Sequence, residues 1–504
     1  VGDLRPLRAH GLPGAIGSGV LAIGALSLGW LPPLFNVASI PVLGLLRTTS
    51  AGEVLGRASV LIGGALILHS WLLLGTDVLG GRTMSLRSLR RILGLWVAPA
   101  LLVPPLFSRD PYSYFVQGKL LLLGLDPYTH GAASVPGWFR DGVDPMWAET
   151  PTPYGPLYLL LQKAVVTVAH TPYWSAILFR VIAVIGIACI AYAVPRLARA
   201  QGIDPAAATW LAAMNPLVLL HFAFGGHNDA IMVGAMLIGL DFALSRRILP
   251  ATLWIAGAVA IKPIAFVIVP FAALLVLPWA TTQTRRLAAY IAGGSGVLAI
   301  VLALGAVAGV GAGWIQALTT PGTVRTWLSP PTAIGMAIGL VGDAFGNHGV
   351  DAIAVMISRA LFMAVAIGCC LFLLLRPEGR SPVRGALLAF TAIIGLGPVV
   401  QPWYLLWALP LVATSGLHKP WHLKTVVLGT AGFVIYALAE PTATSDAHLD
   451  LVDSLGMVLA GAVILFVLLA SPRERELAIG SQFSGGLAPG DASARERARG
   501  WIVR

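Results

Sequence analysis

Charge is what this sequence has least of. Only 11% of its 504 residues are Asp, Glu, Lys or Arg, against 57% hydrophobic, and the mean hydropathy is +0.82. Apolar windows of about 17 to 25 residues recur along it, the length needed to cross a hydrocarbon core. A soluble core of this size has no need of such windows, and a membrane β-barrel would alternate apolar and polar residues, so both are excluded. Cysteine is nearly as scarce. Cys189, Cys369 and Cys370 all lie in apolar segments and the last two are adjacent, so no disulfide framework is implied. Also missing are a Walker A sequence, a GxGxxG fingerprint after a strand and any zinc-type His/Cys spacing, which leaves a nucleotide-driven mechanism without support. No small-residue cleavage site follows the first apolar run, so no cleavable leader is expected.

Acids are the scarcer sign, 22 against 33 bases, for a net charge of +11. The bases form short clusters between apolar windows instead of a patch with interleaved aromatics, so no nucleic acid is expected as a partner. By the positive-inside rule the clusters Arg5/Arg8, Arg82/Arg87/Arg90/Arg91, Arg196/Arg199, Arg246/Arg247, Arg285/Arg286, Arg376/Arg380/Arg384, Lys419/Lys424 and Arg473/Arg475 are cytoplasmic. Spans then run 14–40, 58–80, 92–107, 174–195, 206–223, 229–245, 250–261, 264–278, 287–313, 351–375, 383–400, 403–416, 424–440 and 450–471. This is an all-α polytopic membrane protein with about 13 to 14 spans and both termini inside. Segments 155–170 and 333–345 break the sign pattern and read as half-inserted or interfacial helices on the outer side, where the Arg47/Arg57 loop also falls. The Gly/Ser/Arg-rich tail 472–504 reads as cytoplasmic and disordered.

On this topology the chemistry-bearing residues gather at the outer face. Asp110 follows the third span; partly desolvated there, a carboxylate is pushed up by burial and down by cations, a balance that suits a general base. An Asp-Pro step is equally ordinary at a helix boundary, and the second Asp-Pro-Tyr, at Asp126, reads as a turn. Tyr112, Tyr114, Tyr128, Trp138, Trp147, Tyr154 and Tyr158 fit an interface belt or stacking on sugars. His227, Asn228 and Asp229 begin a span, where capping accounts for one of them and a polar ligand or internal partner for the others. Lys262, before Pro263, sits at the tip of a hairpin at membrane depth and needs a partner: a lipid phosphate, or Asp229. Gln401, Trp403 and Tyr404 open another helix, with Pro402 in its first turn.

The stretches "SRDPYSYFVQGKLLLLGLDPYTHG", "TPTPYGPLYLLLQ", "MNPLVLLHFAFGGHNDAIMVG", "IKPIAFVIVPF", "WLSPPTAIG" and "QPWYLLWALPL" resemble, in order, the actinobacterial α-(1→6)-mannopyranosyltransferases of the MptA/MptB type, in the GT-C superfamily, over about residues 15–470. The Gly-Gly-His-Asn-Asp-Ala wording favours the B type. The resemblance implies a GT-C fold whose catalytic module spans 86–471, with a large first extracytoplasmic loop at 108–154 and residues 1–85 as an N-terminal addition. It implies a polyprenyl-phosphate-mannose donor, a membrane-anchored α-(1→6)-mannoside acceptor of lipomannan and lipoarabinomannan, inversion, and an extracytoplasmic active site in the plasma membrane. Asp110 matches the family's base. Lys262 and Arg325 are then candidates for the donor phosphate, and Tyr112, Tyr114, Gln117, His227, Asn228, Asp229, Gln401, Trp403 and Tyr404 for donor or acceptor contact. No cofactor is called for; a divalent metal fits without being demanded. The rival readings are an arabinofuranosyltransferase using polyprenyl-phosphate-arabinose, and a lipid or sugar transporter or flippase. The latter predicts paired broken segments in two repeated halves, and no such repeat is found.

Overall fold

Helix starts are written locally. Ser85, Thr282, Ser329 and Ser381 each accept the backbone N–H three residues on, and Pro156, Pro172, Pro205, Pro330 and Pro382 stand in first turns, where no intrahelical N–H is lost. A computed structural model describes residues 6–80, 84–417 and 419–439, and these form helices joined by turns, with no strand among them. Six helices are long and apolar enough to cross a membrane: Leu7–Leu28, Ser50–Leu79, Pro172–Ala200, Gln283–Ala308, Val350–Leu375 and Trp421–Ala439. Val218–Phe224 and Asp229–Leu244, bent by 113° at a short break, are together apolar enough for one more, with the bend of a broken span or a re-entrant loop. Shorter apolar helices, Pro156–Ala169, Ile248–Ile261, Pro263–Val276 and Pro382–Leu396, lie between them. The protein is an all-α polytopic membrane protein.

About 13 to 14 spans were expected; among the described residues six helices are long and apolar enough to cross, seven with the bent pair, and several expected windows are shorter or broken, mostly at proline. The 92–107 window is helical only over Leu86–Val97, then turns through Ala98–Ala100 into irregular chain, because Pro99, Pro104 and Pro105 each remove a helical N–H. The 206–223 window breaks at Asn215-Pro216 into Pro205–Ala212 and the π-helical turn Val218–Phe224. Arg57 is no loop residue; it lies inside the Ser50–Leu79 helix, paired with Glu53. Segment 155–170 is the 14-residue helix Pro156–Ala169, packed on Asp110–Leu122 and Gln283–Ala308. At 1.5 Å per residue it is about 21 Å long, short of a full crossing by itself. Segment 333–345 belongs to Pro330–Ala344, packed on Val350–Leu375. The 450–471 span and the tail lie outside the described residues.

Two packing contacts position the site. Pro172–Ala200 crosses Asp229–Leu244 at Gly186, where a Cβ would collide with the Ala230 backbone, so small residues let the two backbones touch. The N-terminal hairpin of Leu12–Leu28 and Ser50–Leu79 ends against the same region. Trp30 N–H donates to the Pro105 carbonyl at 2.7 Å, and the Trp30 carbonyl accepts from Tyr112 Oη at 2.7 Å.

Candidate active site

Asp110 is the first residue of the helix Asp110–Leu122, where the helix dipole favours a negative charge. Its N–H donates to Ser108 Oγ at 3.1 Å, and Pro111 follows in the first turn. Tyr114, one turn on, donates from Oη to Asp110 Oδ2 at 3.3 Å. His227 Nδ1 lies 3.1 Å from the same oxygen, in a bent approach. Burial pushes the Asp110 carboxyl up, but His227, Lys262 and Tyr114 together outweigh it and hold the group below its usual range. A carboxylate so held stays ionised and, with 18% of its side chain still exposed, can meet a ligand.

The Gly225–Asp229 stretch is the elbow between Val218–Phe224 and Asp229–Leu244. Gly226 adopts φ +70°, open to glycine without strain, and the turn delivers His227 and Asn228 into the interior. Capping is not their role: Asn228 stands at the N-cap with helical angles and no side-chain cap bond. Asp229 Oδ1 is held by Lys262 Nζ at 2.8 Å and by Trp407 Nε1 at 2.6 Å. Of the two partners weighed for Lys262, the protein itself supplies Asp229. The ammonium also lies 5.3 to 5.8 Å from the rings of Trp407, Tyr404 and Tyr154, within cation–π range. Trp403 stacks on His227 at 3.9 Å and Tyr404 on Trp407 at 4.0 Å.

Two cavities meet at Asp110. One, of about 250 Å³, is walled mainly by apolar groups such as Ile264, Leu318, Met363 and Ile394, with Lys262 and Tyr404 at its polar end. The other, of about 430 Å³ and the more polar of the two, has Ser108, Arg109, Asp144, His221, Arg325 and Thr326 among apolar and aromatic groups such as Phe107, Met146 and Val324. Asp110, Trp147, Gln401 and Trp403 border both.

Some expected site residues stand elsewhere. Tyr112 donates to the Trp30 carbonyl, and Gln117 Oε1 accepts from Gln162 Nε2 at 2.9 Å and Thr152 Oγ1 at 3.2 Å; neither lines these two cavities. Tyr114, Tyr154, Tyr158 and Phe179 form an edge-to-face cluster with centroids 5.1 to 5.3 Å from Tyr114, a buried core and not an interface belt. The Asp126 turn is as expected, with Tyr128 N–H donating to Asp126 Oδ1 at 2.9 Å. Arg325 lines the polar cavity, paired with Asp351. Among the described residues no group of three His, Cys, Asp or Glu side chains is placed to share a metal ion.

Sequence reasoning missed Arg180. Fully buried inside Pro172–Ala200, it donates to the carbonyls of Val103 and, at 3.1 Å, Phe224. Leu106 N–H reaches the same Phe224 carbonyl, so Arg180 ties the approach to Asp110 to the approach to His227. A charge inside a 29-residue apolar helix was the available signal.

The fold and site define a polytopic helical membrane protein whose central carboxylate borders two cavities, one mainly apolar and one more polar. Comparison with known proteins names the family. Residues 11–278 match the α-(1→6)-mannopyranosyltransferase N-terminal domain, and residues 331–444 the MptB C-terminal domain. A probable α-(1→6)-mannopyranosyltransferase of Mycolicibacterium smegmatis is 33% identical over 93% of this chain and 89% of its own. An α-(1→6)-mannopyranosyltransferase of Mycobacterium tuberculosis is 33% identical over 93% and 88%, and α-(1→6)-mannopyranosyltransferase B of Corynebacterium glutamicum 30% over 83% and 75%. The chain belongs to the α-(1→6)-mannopyranosyltransferase family and is a glycosyltransferase.

Proposed function

We propose that the protein transfers mannose from polyprenyl-phosphate-mannose to an α-(1→6)-mannan acceptor of the lipomannan and lipoarabinomannan type, at the outer face of the plasma membrane and with inversion. The observation that carries this reading is that Asp110 borders both cavities and is the ionisable residue they share. In this account the apolar cavity takes the lipid phosphate end of the donor and the polar one the acceptor sugar. The acceptor's 6-hydroxyl attacks C1 of the mannosyl phosphate, its proton passes to Asp110, and the C1–O bond breaks with the electron pair leaving on the polyprenyl phosphate. An α product by inversion requires a β-configured donor.

Charge must be neutralised on the departing phosphate. Lys262 borders the apolar cavity, and its ammonium has donors beyond the one given to Asp229. Arg325, paired with Asp351, lines the other cavity and so falls on the acceptor side, which leaves Lys262 as the cation for the phosphate. Trp403 and Gln401, bordering both cavities, are placed for the sugars, and Tyr404 for the donor end. The family names of the relatives support mannose over arabinose as the transferred sugar.

The test is Asp110→Asn in membranes supplied with donor and an α-(1→6)-mannoside acceptor. Donor binding should persist while transfer falls by about a hundred- to ten-thousandfold. Near-normal transfer would remove Asp110 from the base role.

A further inference from the structure

His227 reaches Asp110 from a distant part of the chain, yet it cannot meet a sugar. Its side chain is 0% exposed and borders neither cavity, whereas Asp110 borders both. One ring face is covered by Trp403, stacked at 3.9 Å and 24°, with the His221 ring 6.1 Å away. Its Nδ1 lies 3.1 Å from Asp110 Oδ2, the same oxygen that accepts from Tyr114 Oη. Both contacts therefore fall on one carboxylate oxygen, which leaves Oδ1 for the acceptor hydroxyl.

We propose that His227 is a positioning residue for Asp110: it fixes the carboxylate's orientation from behind and does not itself contact donor or acceptor. The inference rests on the reading of Asp110 as the base. The bent Nδ1 approach to Asp110 is the polar contact this buried ring makes among the described residues, where Nε2 has no hydrogen-bond partner, so the contact offsets part of the imidazole's desolvation. The groups facing Asp110 are Tyr114 on its own helix, Tyr154 and Tyr158 from the next segment, Lys262, Tyr404 and His227. Of these, His227, Lys262 and Tyr114 favour the ionised carboxylate against the desolvation that opposes it. Taking His227 away leaves that desolvation less opposed, so Asp110 protonates at higher pH than before.

The experiment uses the full-length protein with polyprenyl-phosphate-mannose and a synthetic α-(1→6)-mannoside, measuring kcat and KM from acid to alkaline pH. His227→Phe keeps a ring to stack on Trp403 but removes the nitrogen; His227→Gln keeps an uncharged donor. His227→Phe should lower kcat by about ten- to a hundredfold at neutral pH, with both KM values little changed. Its acid limb should move to higher pH, so that the loss is deepest in acid and shrinks as pH rises. His227→Gln should restore part of kcat and move the limb less far. An unmoved limb with wild-type kcat, or a raised KM with kcat intact, overturns the proposal. Should His227→Phe not survive purification, the limb of His227→Gln decides by the same rule. Asp110→Asn separates the two readings: if it remains active, the base assignment fails; if it is inactive while His227→Phe behaves as wild type, only the positioning role fails.

Discussion

Lys262 and Asp229 form an ion pair with side-chain exposures of 12% and 1%, at the edge of the cavity that takes the donor in our account. Removing one member of such a pair leaves the other charged and buried, at a cost of about 3 to 5 kcal/mol. Lys262→Met should therefore lower thermal stability in detergent as well as donor affinity. Adding Asp229→Asn should return much of the stability but not the affinity, because the stray carboxylate disappears while the cation stays lost. Stability lost equally in the double variant would show that the two residues do not interact; unchanged donor affinity in both would make Lys262 purely structural.

Asp110 makes a prediction of its own about pH. Its folded-state value lies below the ordinary carboxylate value of about 3.9, so the contacts on its carboxylate add stability at neutral pH and lose it as pH falls through the lower value. The same sign governs rate. If Asp110 is the base, kcat should hold from neutral pH down into the ordinary carboxylate range, and its acid limb should lie below that range. A limb near pH 6 or 7 would assign the base to another group.

At the scale of elements, the site is an elbow clamped from several sides. Gly186 lets Pro172–Ala200 touch the start of Asp229–Leu244, and Arg180 on the former helix bonds the chain just before Asp110 and just before His227. Arg180→Met removes the Val103 carbonyl's bond to Arg180 and leaves the Phe224 carbonyl with the Leu106 N–H alone, which loosens both segments; we expect kcat to fall by about a hundredfold with KM nearly constant. Arg180→Lys should recover little, since one ammonium does not reproduce a planar fork that reaches two carbonyls. Wild-type kcat in Arg180→Met would mean the elbow holds itself.

These clamps mark the boundary of what the sequence makes legible. Hydropathy carried the fold class and most of the long helices, because bilayer solvent writes one strong signal into each. It failed at 92–107 and 206–223, where prolines break windows that are apolar throughout. Asp110, Lys262 and Trp403 were legible as rare polar or aromatic groups at helix mouths, and Lys262 even had its partner among the alternatives. Arg180 and Trp407 were not, because what identifies them is a neighbour dozens to hundreds of positions away: Val103 and Phe224 for one, Asp229 for the other. Gln117 shows the reverse error. It lies one turn from the tyrosines near Asp110, but its side chain turns to Gln162 and Thr152.

For the molecule as a whole, residues 1–85 were expected to be an addition outside the catalytic module. The hairpin they contribute is joined to the site: Trp30 bonds Pro105 and Tyr112, and the Arg109 guanidinium sits 4.2 Å over the Trp30 ring. The family match likewise begins at residue 11. The proposed orientation also concerns the whole chain. Asp229–Leu244 starts at the site and ends before Ser245, 16 residues or about 24 Å away, so the two ends should face opposite sides of the bilayer. Ser134→Cys, on the exposed loop near the site, should react with a membrane-impermeant maleimide in intact cells, and Ser245→Cys only after permeabilisation. The reverse pattern would turn the active site to the cytoplasm.

The central claim, mannosyl transfer from a lipid phosphate, is tested most directly by incubating the purified protein with mannosyl and arabinosyl polyprenyl phosphates and an α-(1→6)-mannoside, then determining the product's linkage. The account predicts an acceptor one mannose longer, joined α-(1→6), formed from the mannosyl donor alone and absent with Asp110→Asn. Arabinose in the product, or intact donor moved across vesicles with no new glycosidic bond, would contradict it.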